Sequence, residues 1–560
     1  MKVTEIKYTR PNFDEVSAKL KSILKRFENA ATAEECFATY KEYDEYVNEI
    51  ESIIEVAAIR NTMDTTDEFY EGEIDYWDEA EPELEEILNE FGKALLNSPY
   101  RKEMEAEWGT LLFKNEEIKL KTFSPGIVED LKKENALSTK YDKLKASAQI
   151  EFDGKALTLA ELYPYAEHPD SAVRKAALEA TANWYMSNAK EFDTIFDKLV
   201  KVRTKIAQKL GYKNFVELGY DRMGRNCYDK EMVAKFRDGV ARYIVSIVTK
   251  LKRAQAERIG VETIKYHDME FQYPDGNAKP IGTEADTLAH AKKMYHELSE
   301  ETGKYIDSLY EKELIDVLTR PGKSSGGYCA ALPHYDMEFI FANFNGTSGD
   351  VDVLTHEVGH AYAFHLAKGV FPTALRENTE DVSEIHSMAM EFFTWPWMEG
   401  FFGEQTEKYY QMHLSGALTF LPYGVMVDEF QHHIYENHEM TPSERNEYWL
   451  TLEAKYRPWL DLSDTPFYGE GRRWQAQLHI YTDPFYYIDY CLAGIMALYF
   501  WAQLQEDSSK AWKKYLRLLK LAGTKTFVEI IKDADLPTPF ETENIKVIAD
   551  AATTWLDKQG

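Results

Sequence analysis

The residues best equipped for chemistry in this 560-residue chain are His356-Glu357-Val358-Gly359-His360. Histidines four apart lie one turn apart on the same face of a helix. Two imidazoles so placed can bind one Zn²⁺, and Glu357 beside them can accept a proton from water polarised by the ion. Short motifs also arise by accident: in a chain with 14 histidines, roughly one sequence in thirty carries this pattern by chance. Context therefore decides. A zinc that activates water needs a third protein ligand and an open position. Glu384, 28 positions after His356, can supply it if the chain reverses and a second helix clasps the same ion. That helix opens at Glu380-Asp381, whose charges suit a helix N-terminus, and ends before Pro396. His386 competes as a ligand but sits about 200° around the helix from Glu384. Asp352, one turn before His356, and Glu391, two turns after Glu384, are carboxylates placed to fix the orientation of a ligating ring; each also reads as an ordinary helix residue. His365 faces away from the pair and reads as structural. The expected cofactor is one Zn²⁺ per chain, although these donors also accept Co²⁺ or Mn²⁺.

The elements that must position these groups are mostly helices. Phe13, Val16, Leu20, Ile23, Leu24 and Phe27 recur at spacings of three and four, with Asn12 and Glu15 as a cap. The acidic stretch 64–90 keeps Phe69, Tyr70, Ile74, Tyr76 and Trp77, so it reads as solvated helix faces. Asp153-Gly154 between apolar residues predicts a hairpin, and helical patterns then run from Leu159 to about Glu270. Pro321 to Gly327 is loop-like, and Glu338 to Phe344 reads as a strand. Helix returns at Asp350, carries the motif to Lys368 with Gly369 at a C-cap position, and persists to the C-terminus. The fold class predicted is mainly α-helical with a small β element beside the central motif.

Composition narrows the function. With 96 acidic against 65 basic residues, the net charge of −31 argues against nucleic acid and anionic membranes as partners. Four scattered cysteines, Cys36, Cys227, Cys329 and Cys491, favour neither a disulfide framework nor a cysteine metal site. The N-terminus has no apolar signal core and no run is long enough to span a bilayer, so the expected location is cytoplasmic.

Several separated motifs, in order, resemble a known family. Asn343-Phe344-Asn345-Gly346-Thr347, Asp350 and Thr355-His356-Glu357-Val358-Gly359-His360-Ala361 resemble the oligoendopeptidase F branch of the thimet-oligopeptidase-like zinc metallopeptidases. Gly326-Gly327-Tyr328-Cys329 resembles that family's glycine-rich substrate-strand region, and the segment His479 to Tyr490 resembles its C-terminal His/Tyr motif. The similarity in motif order spans roughly Ile195 to Trp555, implying an N-terminal helical lobe over 1–194 and a catalytic domain over 195–560. The resemblance implies a two-lobed helical ellipsoid with a deep central channel, the zinc at its floor and small β segments along one wall. It also implies internal cleavage of short peptides and supports Glu384 as the third ligand beside His356 and His360.

On this reading Glu357 is the general base, taking a proton as water attacks the scissile carbonyl and delivering it to the leaving amine. His479 and a tyrosine hydroxyl, Tyr486 or Tyr490, donate hydrogen bonds to the oxyanion. The His/Tyr spacing departs slightly from the thimet-like branch, leaving open whether Tyr486 or Tyr487 faces the metal; Tyr490 suits either alignment. Gly326 and Gly327, with Tyr328 and Tyr487, are the expected substrate-binding residues, the glycines offering backbone hydrogen bonds to an extended peptide. Two rivals remain: a zinc carboxypeptidase, which needs a grip on a free C-terminal carboxylate, and a non-catalytic helical peptide-binding protein.

Overall fold

A computed structural model describes residues 2–559 apart from Pro321, Ser325 and Asp464; the side chains of Asp78, Pro82 and Gln559 also fall outside the description. Pro321 and Ser325, within the loop expected at 321–327, are thus outside the described residues. Two compact units share the chain in alternating segments. Met1–Leu120, Lys279–Thr406 and Gln503–Leu536 form the first, and Lys121–Ala278, Glu407–Ala502 and Pro537–Gly560 the second. The sequence reading places a division after residue 194. That position lies inside the 39-residue helix Ser171–Lys209, where Phe192, Ile195, Phe196 and Leu199 continue one buried stripe through it.

In the first unit the helices Phe13–Glu28, Ala33–Met63 and Glu68–Asn97 pack pairwise. The predicted stripe from Val16 to Phe27 is buried, and the Asn12 side chain accepts from the Glu15 backbone N–H at 3.2 Å. Helix Glu68–Asn97 shows how an acidic stretch folds: Trp77, Leu84, Ile87, Phe91 and Leu95 go inside. Among the described side chains one acid turns inward, Glu73, and is met by Arg10 at 2.5 Å.

The same unit holds three strands, β1 (Ile315–Leu318), β2 (Tyr328–Leu332) and β3 (Met337–Phe344). Strand β3 is central, parallel to β1 and antiparallel to β2. It is buried along nearly its whole length, so Phe339-Ile340-Phe341-Ala342 is an apolar run rather than an alternation, and the buried Glu338 is met by Lys368 at 3.1 Å. Strands β1 and β2 flank it as edges. Two helices follow, α1 (Gly349–Ala367) and α2 (Glu380–Phe393), and α1 packs against both α2 and β3. Helix α1 ends differently from expectation. Lys368 is the cap with φ −52°, and Gly369 is absent from the left-handed region, so no glycine is required there.

The second unit contains the predicted hairpin. Ile150–Phe152 pairs with Lys155–Leu157 through Asp153 at φ 51° and Gly154 at φ 72°, the left-handed pair a tight hairpin turn needs. The helix expected to persist to the C-terminus is interrupted after Tyr456, where Leu460–Asp461 pairs in parallel with Ile264–Lys265. Gly469 and Gly471 fold this excursion tightly: a Cβ on either would meet backbone oxygens at 2.6 and 2.2 Å respectively. No helix among the described residues is long and apolar enough to cross a membrane.

Candidate metal centre

Helix α1 presents His356 and His360 on one face, and Glu384 on α2 faces both. Glu384 Oε2 lies 3.3 Å from His356 Nε2 and 3.7 Å from His360 Nε2. One donor atom from each of the three residues falls within 4.8 Å of the others. The edge of a tetrahedron with bonds of about 2.1 Å is about 3.4 Å, so these separations suit a single tetrahedral zinc. The donor set of two imidazoles and one carboxylate fits that ion chemically as well.

The clasp depends on close helix packing. At Gly359 a Cβ would stand 2.6 Å from the His386 carbonyl oxygen and 2.8 Å from Ser387 Cα. The glycine in the middle of the motif therefore lets α2 approach near enough for Glu384 to reach the histidines. Around the donors, Glu391 Oε1 accepts from His356 Nδ1 at 2.7 Å, leaving Nε2 to face Glu384. Ser387 Oγ donates to Glu384 Oε2 at 3.0 Å. Ser387 carried no signal in the sequence, because a serine three residues after an acid is commonplace. His386 is excluded from the donor set. It is buried but falls outside the three-residue donor group, and its backbone carbonyl accepts from the Tyr515 hydroxyl at 2.6 Å.

The electrostatics suit a cation. Burial lowers the His360 pKa to about 4, so its ring is neutral and ready to ligate. Burial opposes charge on His356 too, but its hydrogen bonds to Glu384 and Glu391 outweigh this and hold a proton on the ring. Glu384 is held well below the usual carboxylate range, the facing histidines overcoming its burial. A divalent cation replaces such a proton between the same donors. Burial pushes the neighbouring Glu357 carboxyl up to about 7.

Strand β2 borders Glu357. A Cβ on Gly327, just before the strand, would lie 3.5 Å from Glu357 Oε1, 3.3 Å from the Phe341 oxygen and 3.1 Å from Val353 Cγ2. Gly326 adopts φ +96°, open to glycine but strained for other residues. The Tyr328 hydroxyl pairs with Thr62 Oγ1 at 2.6 Å and its ring stacks on Phe341, which ties the edge strand to helix Ala33–Met63.

His479, Tyr486, Tyr487 and Tyr490 gather in the second unit. The His479 ring lies 5.6, 5.0 and 5.9 Å from the rings of Tyr486, Tyr487 and Tyr490. The Tyr423 hydroxyl donates to Gln477 Oε1 at 2.7 Å, and Gln477 Nε2 faces His479 Nδ1 at 3.1 Å. With the amide so oriented, Nδ1 accepts and Nε2 carries the ring proton. Burial depresses the His479 pKa, so the neutral ring is an Nε2–H donor. Buried arginines pin the segment. Arg203 donates to the carbonyls of Ile480 and Tyr481 and pairs with Glu134 at 2.7 Å. Arg225 donates to the Phe485 carbonyl and pairs with Asp489 at 2.8 Å. These partners come from 260 or more residues upstream, a separation at which local sequence pattern carries no signal.

Two sequence-family profiles match the chain: Peptidase M3 N-terminal domain over residues 3–123 and Peptidase family M3 over residues 164–548. The chromosomal oligoendopeptidase F of Lactococcus lactis subsp. cremoris is 23% identical over 401 residues, covering 66% of this chain and 60% of the relative. This chain therefore spans less than two thirds of that relative's length. A solved structure of PZ peptidase A with inhibitor 2 is 47% identical, covers 100% of both chains and superposes with a TM-score of 0.95. Oligoendopeptidase-F from Enterococcus faecium, 16% identical with 98% of both chains covered and a TM-score of 0.64, shares the fold. The helical architecture with its small sheet beside the motif helix, and the family profile over residues 164–548, thus agree: the chain belongs to peptidase family M3, in its oligoendopeptidase F branch.

Proposed function

We propose that this protein is a zinc-dependent endopeptidase that hydrolyses internal bonds of short peptides. The observation that carries the reading is the convergence of His356, His360 and Glu384 within 4.8 Å, with the buried Glu357 beside them. Zinc at that point would supply Lewis acidity toward the scissile carbonyl and lower the pKa of water. Glu357 takes the proton from the attacking water and passes it to the leaving amine. His479, through its Nε2–H, and Tyr486 or Tyr490 donate hydrogen bonds to the oxyanion, each such donor worth about a hundred- to a thousandfold in rate. The edge strand β2 and the glycines before it hold the substrate in extended form by backbone hydrogen bonds. Short peptides are the substrates, as the name oligoendopeptidase describes for the relatives.

The test is hydrolysis of an internally quenched peptide of about eight residues, blocked at both ends, with metal content measured on the same sample. Internal cleavage, about one zinc per chain and loss of activity with a chelator are expected. Glu357→Gln is expected to keep the metal and lose activity by orders of magnitude; full activity in that variant would refute the general-base role.

A further inference from the structure

The second unit contains a cavity of about 620 Å³ that no step above uses. Its wall includes Lys252, Arg457, Arg473, Tyr266, Tyr423 and Phe420, with Glu270 and Asp557 as its acidic members. In a chain of net charge −31, a concave surface bearing this many cations is unusual. The cations are not equally compensated. Arg457 is matched by Glu453, to which its Nε donates at 2.7 Å. Arg473 donates from Nε to the Tyr266 hydroxyl at 2.8 Å, but its buried Nη1 has no hydrogen-bond partner. Among the described residues no carboxylate lies within ion-pair distance of Arg473 or of the buried Lys252, whose ammonium meets only Gln255 Oε1 at 2.9 Å and the Met269 carbonyl at 3.5 Å. Burial also depresses the Lys252 pKa to about 8, the more distant Glu270 offsetting only part of it. Unpaired buried cations are costly, and an arriving anion relieves that cost.

The cavity wall is continuous with the His479 cluster. Phe420 packs on Tyr487 at 5.5 Å, and Tyr423, which holds Gln477 and through it His479, stands beneath both arginines, with their guanidinium carbons 5.1 and 5.3 Å from its ring. We propose that this cavity is a subsite for a carboxylate of the peptide substrate, received by Arg473 and Lys252. The inference rests on the assignment of the His479 cluster to the oxyanion. Arginine binds a carboxylate through two parallel N–H groups, and Arg473 has Nη1 available for such a contact. The carboxylate is either the C-terminus of a short peptide or an Asp or Glu side chain beyond the scissile bond; both present the same group to the same cations.

The experiment separates these sources and keeps the subsite distinct from the catalytic reading. Peptide binding is measured by titration calorimetry on the full-length Glu357→Gln protein loaded with zinc, while hydrolysis is measured separately on the native enzyme. Three N-terminally blocked octapeptides of one sequence are compared: a C-terminal acid, its amide, and the amide with Glu replacing Gln downstream of the scissile bond. If the C-terminus is the ligand, the acid binds about ten- to a hundredfold tighter than its amide, as a charge-assisted hydrogen bond gives. If a side chain is the ligand, the Glu peptide is favoured over the Gln peptide by the same factor. In either case the ratio collapses toward one in Arg473→Met and in Lys252→Met, and Arg473→Lys restores part of it. Circular dichroism confirms that each variant is folded. Equal affinity for all three peptides overturns the proposal, and so does a preference that survives both variants. Binding discrimination without hydrolysis by the native enzyme would leave the subsite standing and refute the proposed function instead.

Discussion

Replacing Gly359 by alanine adds one methyl group at the narrowest point between α1 and α2. The new Cβ would stand 2.6 Å from the His386 oxygen, about 0.8 Å short of the 3.4 Å at which ordinary contact begins, and 2.8 Å from Ser387 Cα. Both obstacles are backbone, so no side-chain rotation relieves them. The helices must part or slide by most of an ångström. Glu384 sits on the displaced turn, and its Oε2 is 3.3 Å from His356 Nε2. A shift of that size takes it well outside the ~0.2 Å tolerance of metal–ligand distances. Overpacking of this kind destabilises by about 1–3 kcal/mol. The displaced ligand is expected to weaken zinc binding by at least the ~10–100-fold seen when an outer partner of a ligand is lost. The assay is zinc affinity by competition with a chromophoric chelator, alongside denaturant unfolding of metal-free protein. Native zinc affinity and native stability in Gly359→Ala would refute the claim that this glycine sets the helix spacing of the site.

Further expectations follow from the same geometry. Glu391→Ala removes the acceptor from His356 Nδ1 and should cost about 10–100-fold in metal affinity, read by the same chelator competition. Gln477→Glu places an acceptor opposite His479 Nδ1, moving the ring proton away from Nε2. It should lower kcat by about a hundredfold with little change in KM, whereas an equal loss in Gln477→Ala and Gln477→Glu would point to packing alone. Glu134→Gln leaves Arg203 and Arg222 facing a neutral amide and should destabilise by about 3–5 kcal/mol in urea unfolding. The Glu134 carboxyl resists burial only because the two arginines lower its pKa. Its contribution is therefore fully present above the unfolded value of ~4.3 and is lost as pH falls through the lower folded value. Stability of the native protein should thus drop more steeply than that of Glu134→Gln in acid below about pH 4.

The motif helix, its partner helix and the meeting of Glu384 with the two histidines were legible because helix periodicity converts spacing into direction, and a 28-residue gap leaves room for one reversal. Strand β3 was legible from its apolar run. Strand β2 was signalled only by the family resemblance of residues 326–329, because Cys329-Ala330-Ala331 has weak strand propensity and the strand forms by pairing with β3. The spacing of the motif says nothing of what Gly359 meets. Its role depends on the His386 backbone opposite it, which is a tertiary fact. The arginines that hold residues 480–489 were invisible for the same reason. So was the cavity, whose wall is drawn from sequence between Ile247 and Asp557.

The alternation of the two units along the chain has a consequence for biosynthesis. The first unit requires Gln503–Leu536, including Tyr515, whose hydroxyl caps the His386 carbonyl behind the metal ligands. At about 5–20 residues per second, the ribosome completes that segment roughly 8–30 seconds after Glu384 is made. Until then the ligand helices lack a neighbour and neither unit can close its core. Until residues 503–536 are made, the nascent chain exposes the uncovered backs of these helices to proteases and to aggregation, and His356, His360 and Glu384 are not yet held in place.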